Sequence, residues 1–363
     1  MSYCLNPNCQ KQQNPKGNNF CQSCGSRLLL RERYRALKII GQGGFGKTFL
    51  AVDEDKPLKP KCVIKQFLPQ VQEAKNIQDA ARLFKQEAVR LNELGEHSQI
   101  PELLAYFEQN SQLYLVQEFI DGENLAQELA EEGVFSETKI WQLLSGLLPV
   151  LQFLHEHQVI HRDIKPENII RRRGDEQFVL VDFGAARLVT GTALFQTGTA
   201  IGTAQYTAPE QLHGKAISAS DLYSLGVSCL HLLTQIEPFN LFDTSEDDWA
   251  WRDFLTTSVS DSLGLILDKM VQKGTRRRYQ SAAEVLQELN AEGRRQKAEV
   301  KEQVGKVEEN DNFQTLSDVF QPVRGVNLIY GNPIDFQDEY ELFKPSGDVN
   351  QTQRVNVEVP LGE

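Results

Sequence analysis

The stretch of residues 161–184 constrains this chain more than any other, because it places four polar side chains on loops around one apolar run. It reads HRDIKPENIIRRRGDEQFVLVDFG. Residues 178–181 have the composition of a buried strand, and Asp182 follows directly at its end. The loop before this run carries a second carboxylate, a cation and an amide, which are Asp163, Lys165 and Asn168. Because loops carry function at the ends of regular elements, we expect these four side chains to form one site.

Composition and charge exclude several classes of function. The 363 residues suffice for two or three domains with a full core. A net charge of -12 repels phosphate backbones and anionic lipids, so we expect no nucleic acid partner. The longest apolar stretch, 143–154, is far shorter than the roughly 20 residues of a membrane-spanning helix, which predicts no membrane insertion. The first ten residues lack the features of a secretory signal, which predicts a cytoplasmic, reducing location.

Four cysteines near the start of the chain have the spacing of a metal site. Cys4 and Cys9 form one pair, and Cys21 and Cys24 form a second. Two such pairs can surround one tetrahedral cation, and zinc is the expected occupant. The polar segment between the pairs cannot form a core, so the metal would supply the folding energy. A disordered leader whose thiols cluster by chance and a redox switch stay open as alternatives.

A glycine-rich segment fits two phosphate-binding patterns. Gly41, Gly43 and Gly46 form a GxGxxG pattern, and residues 41–48 also fit the phosphate loop of P-loop NTPases. A P-loop must open into a helix, whereas residues 48–53 continue as an apolar strand and end in an acidic turn. We therefore predict two strands with the glycine loop bent between them.

One lysine and one glutamate are candidates for an ion pair. Lys65 belongs to a strand-like segment, 62–67, in which most neighbours are apolar. Glu87 falls on the apolar stripe of a helix predicted over 79–94. A carboxylate on an apolar face needs a partner, which makes Glu87 a candidate partner of Lys65.

Together these motifs resemble those of protein kinases. HRDIKPEN is similar to the kinase catalytic loop, DFG to its metal-binding triplet, and the APE at 208–210 to the end of its activation segment. The resemblance covers about residues 34–289 and extends to bacterial eukaryotic-like (Hanks-type) Ser/Thr kinases, cyanobacterial members among them. The cysteine segment looks like the zinc-ribbon-like leader of some of these kinases. The implied fold is α+β and two-lobed: a small antiparallel β lobe with one helix, and a larger helical lobe.

The resemblance implies a chemical role for each matched residue. Asp163 would accept the proton of a protein hydroxyl, and Lys165 would neutralise charge on the transferred phosphoryl group. Asn168 and Asp182 would hold Mg²⁺ or Mn²⁺. The remaining implied positions are those that would bind ATP, namely Lys65 with Glu87, the glycines Gly41, Gly43 and Gly46, and the hinge from Glu118 to Ile120.

Other implied positions concern regulation and structure. Thr197 and Thr199 would accept phosphate, and Arg162 would bind it, so we expect activity to depend on phosphorylation of this loop. Thr203 would line the substrate shelf beside Asp163. The structural positions are Asp221, which would brace the catalytic loop, and Glu210 with Arg278, which would form a buried ion pair.

We therefore expect three parts: a four-cysteine module (1–30), a kinase domain (31–290) and a charged linker with a tail of unassigned function (291–363). The predicted function is an ATP-dependent serine/threonine protein kinase that acts on protein substrates, and the cysteine module could bind a protein partner. The alternative is a pseudokinase scaffold that acts through the module and the tail. Pseudokinases typically lose one of three residues that this chain retains, Lys65, Asp163 and Asp182.

Overall fold

A computed structural model describes residues 1–43, 46–68, 74–95, 97–183 and 204–308 of the chain. The chain begins with a small module that contains one hairpin of short strands, β1 (Ser2–Tyr3) and β2 (Gln13–Asn14). The interior of this module holds one leucine and three of the four cysteines: Leu28, Cys4, Cys9 and Cys21. So small an apolar cluster stabilises a module only weakly.

A six-stranded antiparallel sheet follows the module and forms the small lobe. Its strands are β3 (Leu29–Leu30), β4 (Tyr34–Gly43), β5 (Gly46–Asp53), β6 (Lys61–Phe67), β7 (Leu103–Gln109) and β8 (Gln112–Glu118). Their order is β3-β4-β5-β6-β8-β7. Because β5 continues as a strand through Thr48 to Asp53, no helix follows the glycine loop, and the P-loop alternative is excluded.

Both faces of this sheet are covered, each by a different part of the chain. Successive residues of a strand point to opposite faces. Ile64 of β6 therefore packs in an apolar cluster with Leu5 of the N-terminal module, whereas Phe67 packs on the other face. There the ring of Phe67 lies 5.4 Å from that of Phe84, which belongs to α1 (Ala74–Glu93). The stripe predicted over 79–94 is the face of α1 that contacts the sheet.

The large lobe consists mainly of helices around one core. Its elements are β9 (Gly122–Asn124), α2 (Leu125–Glu132), α3 (Glu137–Glu156), β10 (Ile169–Arg172), β11 (Phe178–Leu180), α4 (Pro209–Leu212), α5 (Ser218–Thr234), α6 (Pro238–Leu241), β12 (Phe242–Asp243), β13 (Asp248–Trp249), α7 (Asp261–Met270) and α8 (Ala282–Glu308). Every residue of helix α5 from 219 onward except His231 is buried, as expected of a helix at the centre of a core. The strands β9, β10 and β11 form a small sheet beside α3.

Helix α8 crosses the expected boundary at residue 290 without a break and ends at Glu308. None of the helices in the described part of the chain is long and apolar enough to cross a membrane.

Candidate active site

Lys65 lies at the centre of a chain of charges that joins the two lobes. Strand β6 directs its side chain towards α1, where Nζ donates to the carboxylate of Glu87. The same Nζ donates to Oδ1 of Asp182 at 2.9 Å. Burial lowers the pKa of Lys65, but the charges of Asp182 and Glu87 outweigh it, and the pKa is raised. Lys65 therefore keeps its positive charge in the site.

Asp182 stands at the end of the apolar run, as the sequence indicated. The charge of Lys65 is the main reason why its pKa lies below the usual value, so this carboxyl group is ionised at neutral pH. Its side chain is 47% exposed, which leaves it accessible to a ligand. Its backbone has φ 64, in the left-handed region that few residues other than glycine adopt. Such strained positions occur mostly where the surrounding structure holds them for function.

The catalytic loop holds Asp163 through its own neighbours. Nδ2 of Asn168 donates to the backbone carbonyl of Asp163 at 2.8 Å and to its Oδ2 at 2.9 Å. Nζ of Lys165 lies 3.4 Å from the same Oδ2. The other oxygen, Oδ1, is buried and has no hydrogen-bond partner among the described residues. Asp163 therefore presents one carboxylate oxygen that can still accept a hydrogen bond.

A backbone hydrogen bond connects the catalytic loop with the strand that carries Asp182. The amide of Val181 donates to the carbonyl oxygen of Asn168 at 2.9 Å. Since Asp182 follows Val181 directly, the two residues expected to hold a divalent cation are tied to one another through the main chain. Once Nδ2 of Asn168 is committed to Asp163, its amide oxygen is the atom suited to a hard cation.

A buried aspartate of α5 supports the same loop from below. Asp221 is fully buried and accepts hydrogen bonds from the backbone amides of His161 and Arg162, both at 2.9 Å. Nε2 of His155 lies 2.9 Å from its Oδ2. Arg162 has φ 69, so these bonds hold the loop in a conformation that it would otherwise avoid. The ring of His161 packs edge-on against Phe183 at 4.9 Å.

The other expected structural pair also lies in the core. Arg278 donates to both carboxylate oxygens of Glu210, at 2.7 and 2.9 Å. The guanidinium is fully buried, and the carboxylate is 14% exposed. The fork geometry of arginine suits this two-bond contact. The pair attaches the start of α4 to the segment before α8.

The glycine loop shows where a side chain cannot be accommodated. A Cβ atom on Gly46 would lie 1.9 Å from the carbonyl oxygen of Gln66, which makes glycine necessary there. Gly41 and Gly43 leave room for a Cβ within the described residues. In the segment expected to form the hinge, the amide of Glu118 donates to the backbone carbonyl oxygen of Glu102 at 2.9 Å. Ile120, two residues on, is buried.

The four N-terminal cysteines come together at one point. Their sulfur atoms all lie within 4.8 Å of one another. Sγ of Cys4 is 3.6 Å from that of Cys24, and Sγ of Cys9 is 3.6 Å from that of Cys21. These separations are too long for disulfides, which need about 2.05 Å. They fit a tetrahedral zinc site, in which metal–sulfur bonds of about 2.3 Å place the sulfurs roughly 3.8 Å apart.

Some expected positions lie outside the described residues, and one basic residue of the site was not anticipated. Thr197, Thr199 and Thr203 fall outside the described part of the chain. Arg90, one turn after Glu87 on α1, donates to the carbonyl oxygen of Phe183 at 3.4 Å. Burial and the nearby charge of Arg162 lower its pKa. The sequence signal that could have identified Arg90 is its position three residues after Glu87 in the predicted helix.

Comparison with known proteins identifies the family. Residues 34–289 match the protein kinase domain. The chain is 42% identical over 300 residues to serine/threonine-protein kinase B of Synechocystis sp., an alignment that covers 80% of this chain and 52% of the relative. It is 40% identical over 268 residues to serine/threonine-protein kinase PknA of Nostoc sp., which covers 72% of this chain and 47% of the relative. The chain thus spans about half the length of the curated relatives it matches.

Solved structures show the same fold. The apo form of PpkA-294 has a TM-score of 0.58 and 24% identity, and the match covers 71% of this chain and 96% of that one. The PknI kinase domain of Mycobacterium tuberculosis has a TM-score of 0.55 and 20% identity, covering 71% and 95%. At these identities the likeness concerns the fold alone.

These matches confirm the predicted family and the two-lobed α+β fold. The family implies ATP with Mg²⁺ or Mn²⁺ and protein substrates. The family match spans most of the chain and includes Lys65, Asp163 and Asp182. The chain therefore belongs to the protein kinase domain family, and its relatives include proteins named as serine/threonine kinases in cyanobacteria.

Proposed function

We propose that this chain is an ATP-dependent serine/threonine protein kinase, which transfers the γ-phosphate of MgATP to hydroxyl groups of protein substrates. One observation carries this proposal: Oδ1 of the buried Asp163 has no hydrogen-bond partner among the described residues. A buried carboxylate oxygen without a donor is rare and costly. A donor from outside the chain, such as a substrate hydroxyl, would satisfy it. The names of the relatives support the serine/threonine class.

The residues around Asp163 account for the remaining steps. When bound, MgATP supplies the transferable phosphoryl group and the cation that screens its charge. Oδ1 of Asp163 orients the acceptor hydroxyl and takes its proton, while Lys165 stands 3.4 Å from Oδ2 and adds positive charge beside the point of transfer. Lys65, held by Glu87, is positioned to contact nucleotide phosphates. Asn168 and Asp182 offer the oxygen atoms that would hold the cation.

Transfer of labelled phosphate from MgATP to a generic protein tests this function. The Asp182→Asn variant removes the charge expected to hold the cation and should abolish transfer, while the parent chain transfers phosphate to serine or threonine. Nucleotide binding without transfer by the parent chain under any condition would contradict the proposal and favour a scaffold.

We also propose that the four cysteines hold one zinc ion. The donor set supports this proposal, because four thiol groups lie within 4.8 Å of one another and no disulfide joins them. The hydrogen bond with Ser26 is the main reason why the pKa of Cys24 is lowered to about 6, which favours its thiolate, whereas burial raises the pKa of Cys4 and Cys9. Metal analysis of the purified chain should find one equivalent of zinc. Four free thiols with no metal would refute the site.

Phosphorylation of Thr197 and Thr199 is proposed as the activating modification. Two arginines support this proposal. Arg162 lies close enough to Arg90 that burial and the charge of Arg162 together lower the pKa of Arg90, and Arg90 donates to the carbonyl oxygen of Phe183, just before the segment that carries the two threonines. Planar guanidinium groups bind phosphate through paired hydrogen bonds. Replacing both threonines by alanine should lower activity, and full activity of that double variant would refute the dependence. Thr203 as a substrate contact, a protein partner of the module and a cytoplasmic location remain predictions from the sequence.

A further inference from the structure

The N-terminal module and the small lobe share one apolar interface, on the face of the sheet opposite α1. Leu5 is 6% exposed and packs in the same cluster as Phe49 and Ile64 of the sheet. The ring of Tyr3 lies 5.4 Å from that of Phe49. Apart from Leu5 and Tyr3, all members of this cluster belong to strands of the sheet, so loss of the module would expose apolar side chains of the sheet to water.

A buried arginine of the sheet also depends on the module. Arg35 is 4% exposed, and its Nη1 donates to the hydroxyl of Ser2 at 3.1 Å and to the carbonyl of Asn18 at 2.6 Å. Its remaining contacts include the carboxylate of Glu54, 2.8 Å from Nε. A buried guanidinium needs acceptors for its donors. The module provides three of them, because Nη2 also donates to Oδ1 of Asn19 at 3.5 Å.

Gln66 connects the cysteine site with the nucleotide site. It is 2% exposed, and its Nε2 donates to the carbonyl of Leu5 at 2.7 Å. Leu5 directly follows Cys4 in the chain, and Gln66 directly follows Lys65. The backbone carbonyl of Gln66 lies against Gly46, at the point where a Cβ atom would be 1.9 Å away. One residue thus contacts the module with its side chain and the glycine loop with its backbone.

We propose that metal binding by the four-cysteine module controls the affinity of the kinase for its nucleotide. This regulation rests on the kinase function and the metal site proposed above. With metal bound, the cysteines hold Leu5 on the sheet, and Gln66 in turn keeps Gly46 and Lys65 in place. Without metal, the loop that carries Leu5 is released, and the buried amide of Gln66 loses an acceptor. Strand β6 then shifts at Lys65, and the backbone of Gln66 no longer holds Gly46 of β5 in place.

The test uses the full chain loaded with zinc, the same chain after chelation and after reloading, and three variants. Cys24→Ser removes a metal ligand, and Leu5→Ala removes the contact with the sheet while all four cysteines remain. Phe20→Ala is the control, because this exposed ring lies in the same module and outside the shared cluster. The measurements are bound zinc, the melting temperature, the dissociation constant of a fluorescent ATP analogue in excess Mg²⁺, and KM and kcat for phosphate transfer.

Metal removal should weaken binding of the analogue about tenfold, as expected for the loss of one buried hydrogen-bond partner. Reloading with zinc should restore it. Leu5→Ala should weaken binding similarly while it still holds zinc, and Phe20→Ala should bind like the parent chain. Unchanged affinity after metal removal and in Leu5→Ala would overturn the proposal, as would a chain that takes up no zinc. Analogue binding requires no phosphate transfer, so an inactive chain whose affinity still follows zinc refutes the kinase function and supports the coupling.

Discussion

Replacing Glu210 by alanine should destabilise the large lobe strongly, because the charge of Arg278 would remain buried without a counter-charge. The guanidinium is fully buried and makes two bonds to the carboxylate, at 2.7 and 2.9 Å. Its other acceptors are the backbone carbonyls of Gln272, Lys273 and Ala219, which carry only partial charge. Removal of one partner of a buried ion pair costs about 3–5 kcal/mol of the free energy of unfolding.

The companion variants separate the ion pair from other effects of substitution. Arg278→Met should cost less than Glu210→Ala, because Glu210 is partly exposed and still accepts a hydrogen bond from Ser220 at 2.6 Å. The double variant should cost less than the two single variants added together, since neither charge is then left alone. Arg173→Ala breaks an exposed ion pair instead and should leave the free energy of unfolding unchanged.

Urea unfolding followed by tryptophan fluorescence measures these differences in the free energy of unfolding, and it reports them from the large lobe. All three tryptophans, Trp141, Trp249 and Trp251, lie in the large lobe, and Trp251 is fully buried. The signal therefore reports the lobe that contains Glu210 and Arg278. If Glu210→Ala unfolded at the same urea concentration as Arg173→Ala, or if the double variant were simply additive, the buried pair would not be the source of stability.

Three further predictions address the site. Gly46→Ala should raise KM for ATP, because its Cβ would lie 1.9 Å from the carbonyl oxygen of Gln66; an unchanged KM in steady-state kinetics would contradict the steric argument. Asp163→Asn should lower kcat by about 10²–10⁴-fold with nucleotide affinity retained; loss of nucleotide binding in calorimetry would assign the residue a structural role. Burial lowers the pKa of His161, so below about pH 6.5 the unfolded chain binds a proton that the folded chain does not. The free energy of unfolding should then fall on acidification below this pH, by at most about 1.4 kcal/mol per pH unit, and urea titrations of His161→Phe at about pH 5 and about pH 7 should lack this contribution.

Much of the site could be predicted because its members are close in the chain. Asp163, Lys165 and Asn168 lie on one short loop, so connectivity alone keeps them together. Lys65 and Glu87 could be proposed as partners because a charged group on an apolar face has to be paired. The bond from Lys65 to Asp182 joins residues 117 positions apart, and only the packing of the two lobes brings them together.

The cysteine segment shows which features the sequence alone determines and which only the tertiary structure determines. Spacing alone predicted that Cys4, Cys9, Cys21 and Cys24 would meet, because short turns leave paired thiols few other arrangements. The composition of residues 62–67 predicted a mostly apolar strand, but not what covers each of its faces. Apolar burial is not directional, so many surfaces could satisfy that strand equally well. Only the folded chain shows that Leu5 lies over the sheet and accepts the hydrogen bond of Gln66, one residue from the lysine of the proposed nucleotide site.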